Sequence, residues 1–371
     1  KTVARQEHSN ICKTLVYQQI RCYFHGMKRI SNPTFADSIC NLRARKIKTV
    51  FFKQMNELLD WDALSRTIDK HYTKTSNAVG APAYDGLLLF KMCLLQTWYG
   101  LSDYEVEDRV NDSISFGYFC GLTIEQIAPD HSTISRFRKT LTYAKAYEPL
   151  FKQINEQLEK HRIIVKTGLI VDASVVDTPL RPKGKTKHKI TQDREDELDV
   201  VTNDYADSVD KDASWLKKRG KYHFGYKKHY ITDNKGLVLG VLTTKASTNE
   251  ISNLEEVLDT VDLPNKIALK ADKGYQSAKN AELLKKRKLK NHILKKAKKN
   301  KPLTDREKQF NKQVGKTRFK VERTFGGIKR WFNGGTARYK GIEKMHSQNI
   351  MEAIAYNLYR SPRILASNSV K

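Results

Sequence analysis

Two short stretches of the chain share one design, and they constrain its fold more than any other feature. Gly168-Leu169-Ile170-Val171-Asp172-Ala173-Ser174 and Lys266-Ile267-Ala268-Leu269-Lys270-Ala271-Asp272-Lys273-Gly274-Tyr275 each run through apolar residues into a lone aspartate. Such a run reads as a buried strand whose end presents an acid at the edge of a sheet. A third acid, Glu322, lies in Arg318-Phe319-Lys320-Val321-Glu322-Arg323-Thr324-Phe325-Gly326, a helical stretch flanked by Arg and Lys. Only folding can bring these three together. Carboxylates that converge in a basic protein would make a site for divalent cations, because hard ions take oxygen ligands.

The segments around these acids predict an α/β unit. Tyr222 to Asp233 alternates as a strand, Asn234-Lys235-Gly236 turns the chain, and Leu237 to Thr243 pairs back as a hairpin. Thr248-Asn249-Glu250 then reads as the cap of a helix bearing Ile251, Leu254, Val257 and Leu258. The strand ending in Asp272, a helix from Ser277 to Lys288 and a short strand His292-Ile293-Leu294 follow. Residues 304 to 332 form a long helix carrying Glu322, Tyr339 to Tyr359 a closing amphipathic helix, and the chain is expected to fray after Pro362. Three strands, then helices alternating with strands, is the layout of an RNase H-like mixed sheet flanked by helices. We expect it to span 161–362, with a tail over 363–371. Residues 181–220 turn basic (Arg181 to Lys189) and then acidic (Asp193 to Asp212). They are expected to be a polar excursion, partly disordered or loosely helical, whose acids are mostly surface charge.

Upstream, residues 46–160 read as all-helical. Phe51, Phe52, Met55, Leu58 and Leu59 recur at helical spacing, the apolar run Leu87 to Leu95 continues to Trp98, and Gly100 stops it. Ser102 and Asp103 look like the next cap. From Gly121 through Pro129-Asp130-His131-Ser132-Thr133-Ile134-Ser135-Arg136-Phe137-Arg138, a short helix, a proline break and a capped helix starting near Asp130 give a helix-turn-helix outline. Ser132, Thr133, Ser135, Arg136 and Arg138 would then face a DNA major groove. Alternatively this is a packing helix that turns Ile134, Phe137 and Leu141 inward. Residues 1–45 are a basic lead-in of uncertain status. Met27, followed by Lys28 and Arg29, would make a start, and nothing functional is assigned before it.

Charge identifies the partner. The 371 residues carry 68 Lys+Arg against 41 Asp+Glu, a net +27. Nucleic acid fits such an excess, since each cation that neutralises a phosphate releases counterions. Between Lys266 and Lys301 the basic residues face only Asp272 and Glu282. Lys227, Lys228, Lys273 and Lys329 are the chosen phosphate contacts, and Trp331 could stack on an unpaired base. His223 and His229 read as surface or DNA-facing. The five cysteines (Cys12, Cys22, Cys40, Cys93 and Cys120) are odd in number and form no Cys-x-x-Cys pair, so neither disulfides nor zinc are expected. No stretch is apolar and long enough to span a membrane, and a reducing cytosol is the expected setting.

These residues carry a resemblance. Val171-Asp172-Ala173-Ser174, Ala271-Asp272-Lys273-Gly274-Tyr275 and Arg318-x-x-x-Glu322 followed by Lys329 resemble the three catalytic blocks of DDE transposases from bacterial insertion sequences, in particular insertion-sequence family five. Pro129 to Arg138 resembles that family's N-terminal helical domain, and the similarity runs from about Met27 to Pro362. It implies an RNase H-like catalytic core preceded by a helical DNA-binding domain. It also implies Asp172, Asp272 and Glu322 as catalytic ligands of two Mg²⁺ ions, for which Mn²⁺ can substitute. The expected partner is double-stranded DNA, both terminal inverted repeats and target, with Arg318 and Lys329 near the scissile phosphate. A homodimer on paired ends and a bacterial cytoplasm at the nucleoid complete that picture. One position departs: Gly315 stands where the related signature often has tyrosine. The rivals are an RNase H-fold nuclease that cuts without joining and a transposase-derived DNA-binding protein whose catalysis has lapsed.

Overall fold

The computed structural model of the protein describes residues 46–72, 83–183, 187–192, 199–218, 220–297 and 302–369. The lead-in, with Met27, Cys12, Cys22 and Cys40, lies outside them. Among the described residues seven helices come first: α1 (Lys46–Leu58), α2 (Trp61–Asp69), α3 (Gly86–Tyr99), α4 (Asp103–Asp112), α5 (Ile114–Cys120), α6 (His131–Tyr143) and α7 (Tyr147–Lys160). Their starts are set by side-chain caps. Ser102 and Glu105 form a reciprocal capping box on α4, and Asp130 accepts the Thr133 N–H at 2.6 Å on α6. Gly100, with φ of 66°, ends α3 in the left-handed conformation that glycine adopts without strain. The short helix expected before Asp130 is only a turn at Thr123–Gln126.

The sheet grows from the first acid-bearing strand. β1 (Gly168–Asp177) pairs antiparallel with β5 (Lys221–Asp233), from Leu169↔Asp233 to Asp177↔Gly225. β6 (Val238–Lys245) folds back on β5 through the predicted turn, where Gly236 has φ of 84°. β7 (Ala268–Ala271) joins β1 in parallel, and β8 (Lys290–Ile293) joins β7 in parallel. The helices α8 (Leu254–Asp259) and α9 (Ala278–Lys286) supply the crossovers such parallel pairs require. Three antiparallel strands followed by two parallel ones, with helices between, is the RNase H-like sheet.

Three expectations need correction. The excursion contains strands: β2 (Lys187–Gln192) and β3 (Asp199–Asp204) form a separate two-stranded sheet, and β4 (Ser214–Lys218) pairs with the start of β5. Nor are its acids all surface charge. Asp210 is buried, accepting the Tyr226 hydroxyl at 2.7 Å, beside a small core of Val209, Ala213 and Phe224. The closing helix does not fray at Pro362; α11 runs Ile342–Ser369 with the proline inside it.

α10 (Asp305–Trp331) lies against β1 and β7, and α11 packs on β6, α7 and α3. Trp98 of α3 donates its indole N–H to the Ala355 carbonyl at 2.9 Å, and Asn357 accepts the Val238 N–H at 2.8 Å. One apolar cluster therefore runs from Phe52, Phe90 and Phe119 through Ile354 to Val171 and Leu269. Among the described residues no helix is long and apolar enough to cross a membrane.

Candidate active site

Parallel pairing sets Val171 beside Ala271, so the next residue on each strand, Asp172 and Asp272, emerges side by side. α10 brings the third acid. Arg318 donates to Asp172 Oδ2 at 2.9 Å and, through its other terminal nitrogen, to Glu322 Oε1 at 2.5 Å. The two α10 residues are four apart, hence on one helical face. One guanidinium thus spans an acid in the middle of β1 and an acid on the helix above it.

Asp172 is only 16 % exposed, whereas Glu322 is 55 % exposed. Burial pushes the Asp172 carboxyl up to about 6; Arg318 opposes this, and the charges of Glu250 and Asp272 add to it. Tyr275, three residues past Asp272, is fully buried, and its hydroxyl is held well above the usual phenol range by burial and by Glu250, Asp172 and Asp272. The sequence pattern missed Glu250 because it read 248–250 as a helix cap. α8 instead starts at Leu254, which leaves Glu250 free to lean toward the acids.

Among the described residues no three of His, Cys, Asp and Glu stand close enough to hold a metal ion as they are. The site nevertheless fits a divalent cation. Arg318 is a cation seated between two of the acids, and the donor set is carboxylate oxygen, which suits Mg²⁺ or Mn²⁺ rather than a softer metal. Glu322, more than half exposed, has room to change rotamer.

The expected DNA contacts divide sharply. Lys228 is fully buried, donating to Glu352 Oε2 and the Gly334 carbonyl, each at 2.6 Å, so it cannot reach a phosphate. Lys227 is also buried, with its ammonium 2.7 Å from the Thr248 carbonyl. Arg138 is turned inward onto Asp103, at 2.8 and 2.6 Å, and over the Tyr339 ring. His229 is buried against Thr244, and burial pushes its imidazole down to about 3, so it is neither cationic nor DNA-facing. Ile134, Phe137 and Leu141 point into the core, as the packing reading of α6 holds. Ser132, Ser135 and Arg136 remain exposed on its other side, as does Lys273 beside Asp272. Trp331 packs against Tyr359 at 5.2 Å with 44 % of its surface open. Lys329 is exposed at the rim of an open cleft of about 410 Å³ that it shares with His223, read from the sequence as surface or DNA-facing, and with Lys218 and Lys221, which the sequence did not single out. Burial and the Lys228 and Lys218 charges lower its ammonium pKa.

A family described as Transposase DDE domain matches residues 164–358, and one described as Transposase domain (DUF772) matches residues 41–140. The transposase for insertion sequence element IS1106 of Neisseria meningitidis serogroup B is 34 % identical over 234 residues, covering 62 % of this chain and 78 % of that relative. Among solved structures, the piggyBac transposase synaptic complex with hairpin DNA aligns over 88 % of this chain and 77 % of its own, at 10 % identity and a TM-score of 0.42. The Mos1 strand transfer complex aligns over 79 % and 81 %, at 11 % identity and a TM-score of 0.18.

Proposed function

We propose, from the premise that this chain belongs to the DDE transposase family, that it binds the terminal inverted repeats of an insertion sequence, cleaves the element ends and joins them to target DNA. Asp172, Asp272 and Glu322 are the catalytic acids, and they hold two Mg²⁺ ions, or Mn²⁺ in their place. The observation that carries this reading is the single Arg318 guanidinium shared by Asp172 and Glu322, above strands whose register sets Asp172 beside Asp272.

A bound pair of divalent ions activates the attacking oxygen, stabilises the leaving oxygen and balances the added charge at a phosphodiester. Asp172 projects from the middle of β1 and Asp272 from the residue just past β7, so their oxygens are placed before substrate arrives. Glu322 closes it from α10. Arg318, released from the two acids, becomes a bidentate contact for the phosphate they flank. Hydrolysis at the element end frees a 3′-hydroxyl, which then attacks a target phosphodiester in line. No protein nucleophile takes part. Ser132, Ser135 and Arg136 on α6, Lys273, Lys329 and Trp331 contact the duplex. Two ends are paired by a homodimer, in the bacterial cytoplasm at the nucleoid. Its class is insertion-sequence family five, a reading supported by the sequence blocks around Asp172, Asp272 and Glu322.

A labelled duplex carrying the element's ends, incubated with target plasmid and Mg²⁺, tests this. We expect cleavage and joined product, both lost in Asp272→Ala, with DNA affinity equal or higher in that variant because removing a negative charge cannot weaken phosphate attraction. Cleavage without joining would make the protein a nuclease. No cleavage with either Mg²⁺ or Mn²⁺ would overturn the reading.

A further inference from the structure

The acid that the helix-cap pattern misplaced stands beside the turn that follows Asp272. Three-quarters of the Glu250 side chain is covered, and its Oε1 lies 3.7 Å from the Lys227 ammonium. Its Oε2 lies 3.7 Å from where a Cβ on Gly274 would stand, two residues beyond Asp272. The loop that carries it is tied down, since Lys227 donates to the Thr248 carbonyl and Asn280 to the Ile251 carbonyl. Two cations, Lys227 and Arg318, are ion-paired here against four carboxylates, Asp172, Asp272, Glu250 and Glu322, which leaves the carboxylates in excess. A second observation points to a ligand. The Tyr275 hydroxyl, buried among these acids, has no hydrogen-bond partner, and a buried hydroxyl in that state marks a place where water or a bound group belongs.

We propose that Glu250 is a fourth carboxylate of the active site and binds the same divalent cations as Asp172 and Asp272, with the Tyr275 hydroxyl donating to the filled site. This rests on the reading of Asp172 and Asp272 as metal ligands. Glu250 would reach that site from the loop between β6 and α8, and Glu322 from α10. Lys227 then serves as the counter-charge that keeps Glu250 in place.

Mn²⁺ titration calorimetry on the full chain without DNA tests it, comparing wild type, Glu250→Gln, Asp172→Asn and Lys227→Gln, each checked for wild-type thermal unfolding. We expect Glu250→Gln to weaken Mn²⁺ binding by at least about tenfold, Asp172→Asn to weaken it as well, and Lys227→Gln, which loosens the Glu250 side chain but keeps its carboxylate, to weaken it by less. Should Glu250→Gln fail to fold, Glu250→Asp carries the same expectation through its shortened reach. Wild-type affinity in the Glu250 variant beside a loss in Asp172→Asn overturns this inference and leaves the catalytic reading standing. Equal losses in Glu250→Gln and Lys227→Gln overturn it too, because Glu250 would then only anchor the loop. Unchanged binding in Asp172→Asn, or none in wild type, sinks the catalytic reading itself.

Discussion

Replacing Asp172 by asparagine keeps the shape of the side chain and removes its charge. Burial, with the Glu250 and Asp272 charges added, lifts the Asp172 carboxyl from the ordinary 3.8 to about 6 despite Arg318. At about 1.36 kcal/mol for each tenfold change in proton affinity, that displacement corresponds to about 3 kcal/mol. The sign follows from the direction. Between 3.8 and about 6 the folded chain keeps a proton that the unfolded chain has released, so stability falls as pH rises through that window. Below it the cost is absent, and above it the ionised carboxylate burdens the folded state in full. Asparagine does not titrate, but it leaves Arg318 with Glu322 alone, which returns part of the gain. Asp172→Asn should therefore be more stable than wild type by about 1–2 kcal/mol near neutral pH, with the difference gone by about pH 4. Urea unfolding of both proteins across that pH range, with chelator present, measures it. A variant no more stable than wild type near neutrality, with the same pH slope, would refute a strained carboxylate at this site.

The buried pair of Lys228 and Glu352 gives a second test. Glu352→Gln strands an ammonium in the core and should cost about 3–5 kcal/mol in urea unfolding, much of it recovered by adding Lys228→Met. In DNA binding the lysines should separate: Lys329→Gln lowers the salt dependence by about one unit of slope, and Lys228→Met leaves it unchanged. Gly225 faces β1 so closely that a Cβ would collide with the Val176 carbonyl. Gly225→Ala should therefore cost at least about 1–3 kcal/mol by denaturant titration.

How far the sequence could be read depended on whether a residue's partner was local. Both acid-bearing strands were legible because an apolar run leading into a carboxylate is a pattern within about seven residues, although β1 does not stop at Asp172 as expected but runs on to Asp177, held by its pairing with β5. The caps at Ser102 and Asp130 were legible for the same reason, since a cap acts within one turn. Lys228 was misread because its partner Glu352 lies 124 residues away. A lysine on a central strand looks like surface charge until β6 and α11 cover it. Arg138 was misread similarly, its partner Asp103 being 35 residues upstream on α4. β4 escaped notice because Ser214, Lys217 and Lys218 make a polar strand whose pairing is supplied by β5, not by its own composition. Glu250 was hidden by a cap signal at Thr248-Asn249, where Asn249 accepts the Ile251 N–H at 3.2 Å but does not cap α8.

Locating manganese by anomalous scattering in crystals grown with the ion tests most directly whether the three acids form one metal site. The account predicts density about 2.1 Å from carboxylate oxygens of Asp172 and Asp272, with Glu322 joined to it and the Arg318 guanidinium turned away. Manganese bound elsewhere, or none at saturating concentration while Arg318 still bridges Asp172 and Glu322, would contradict it.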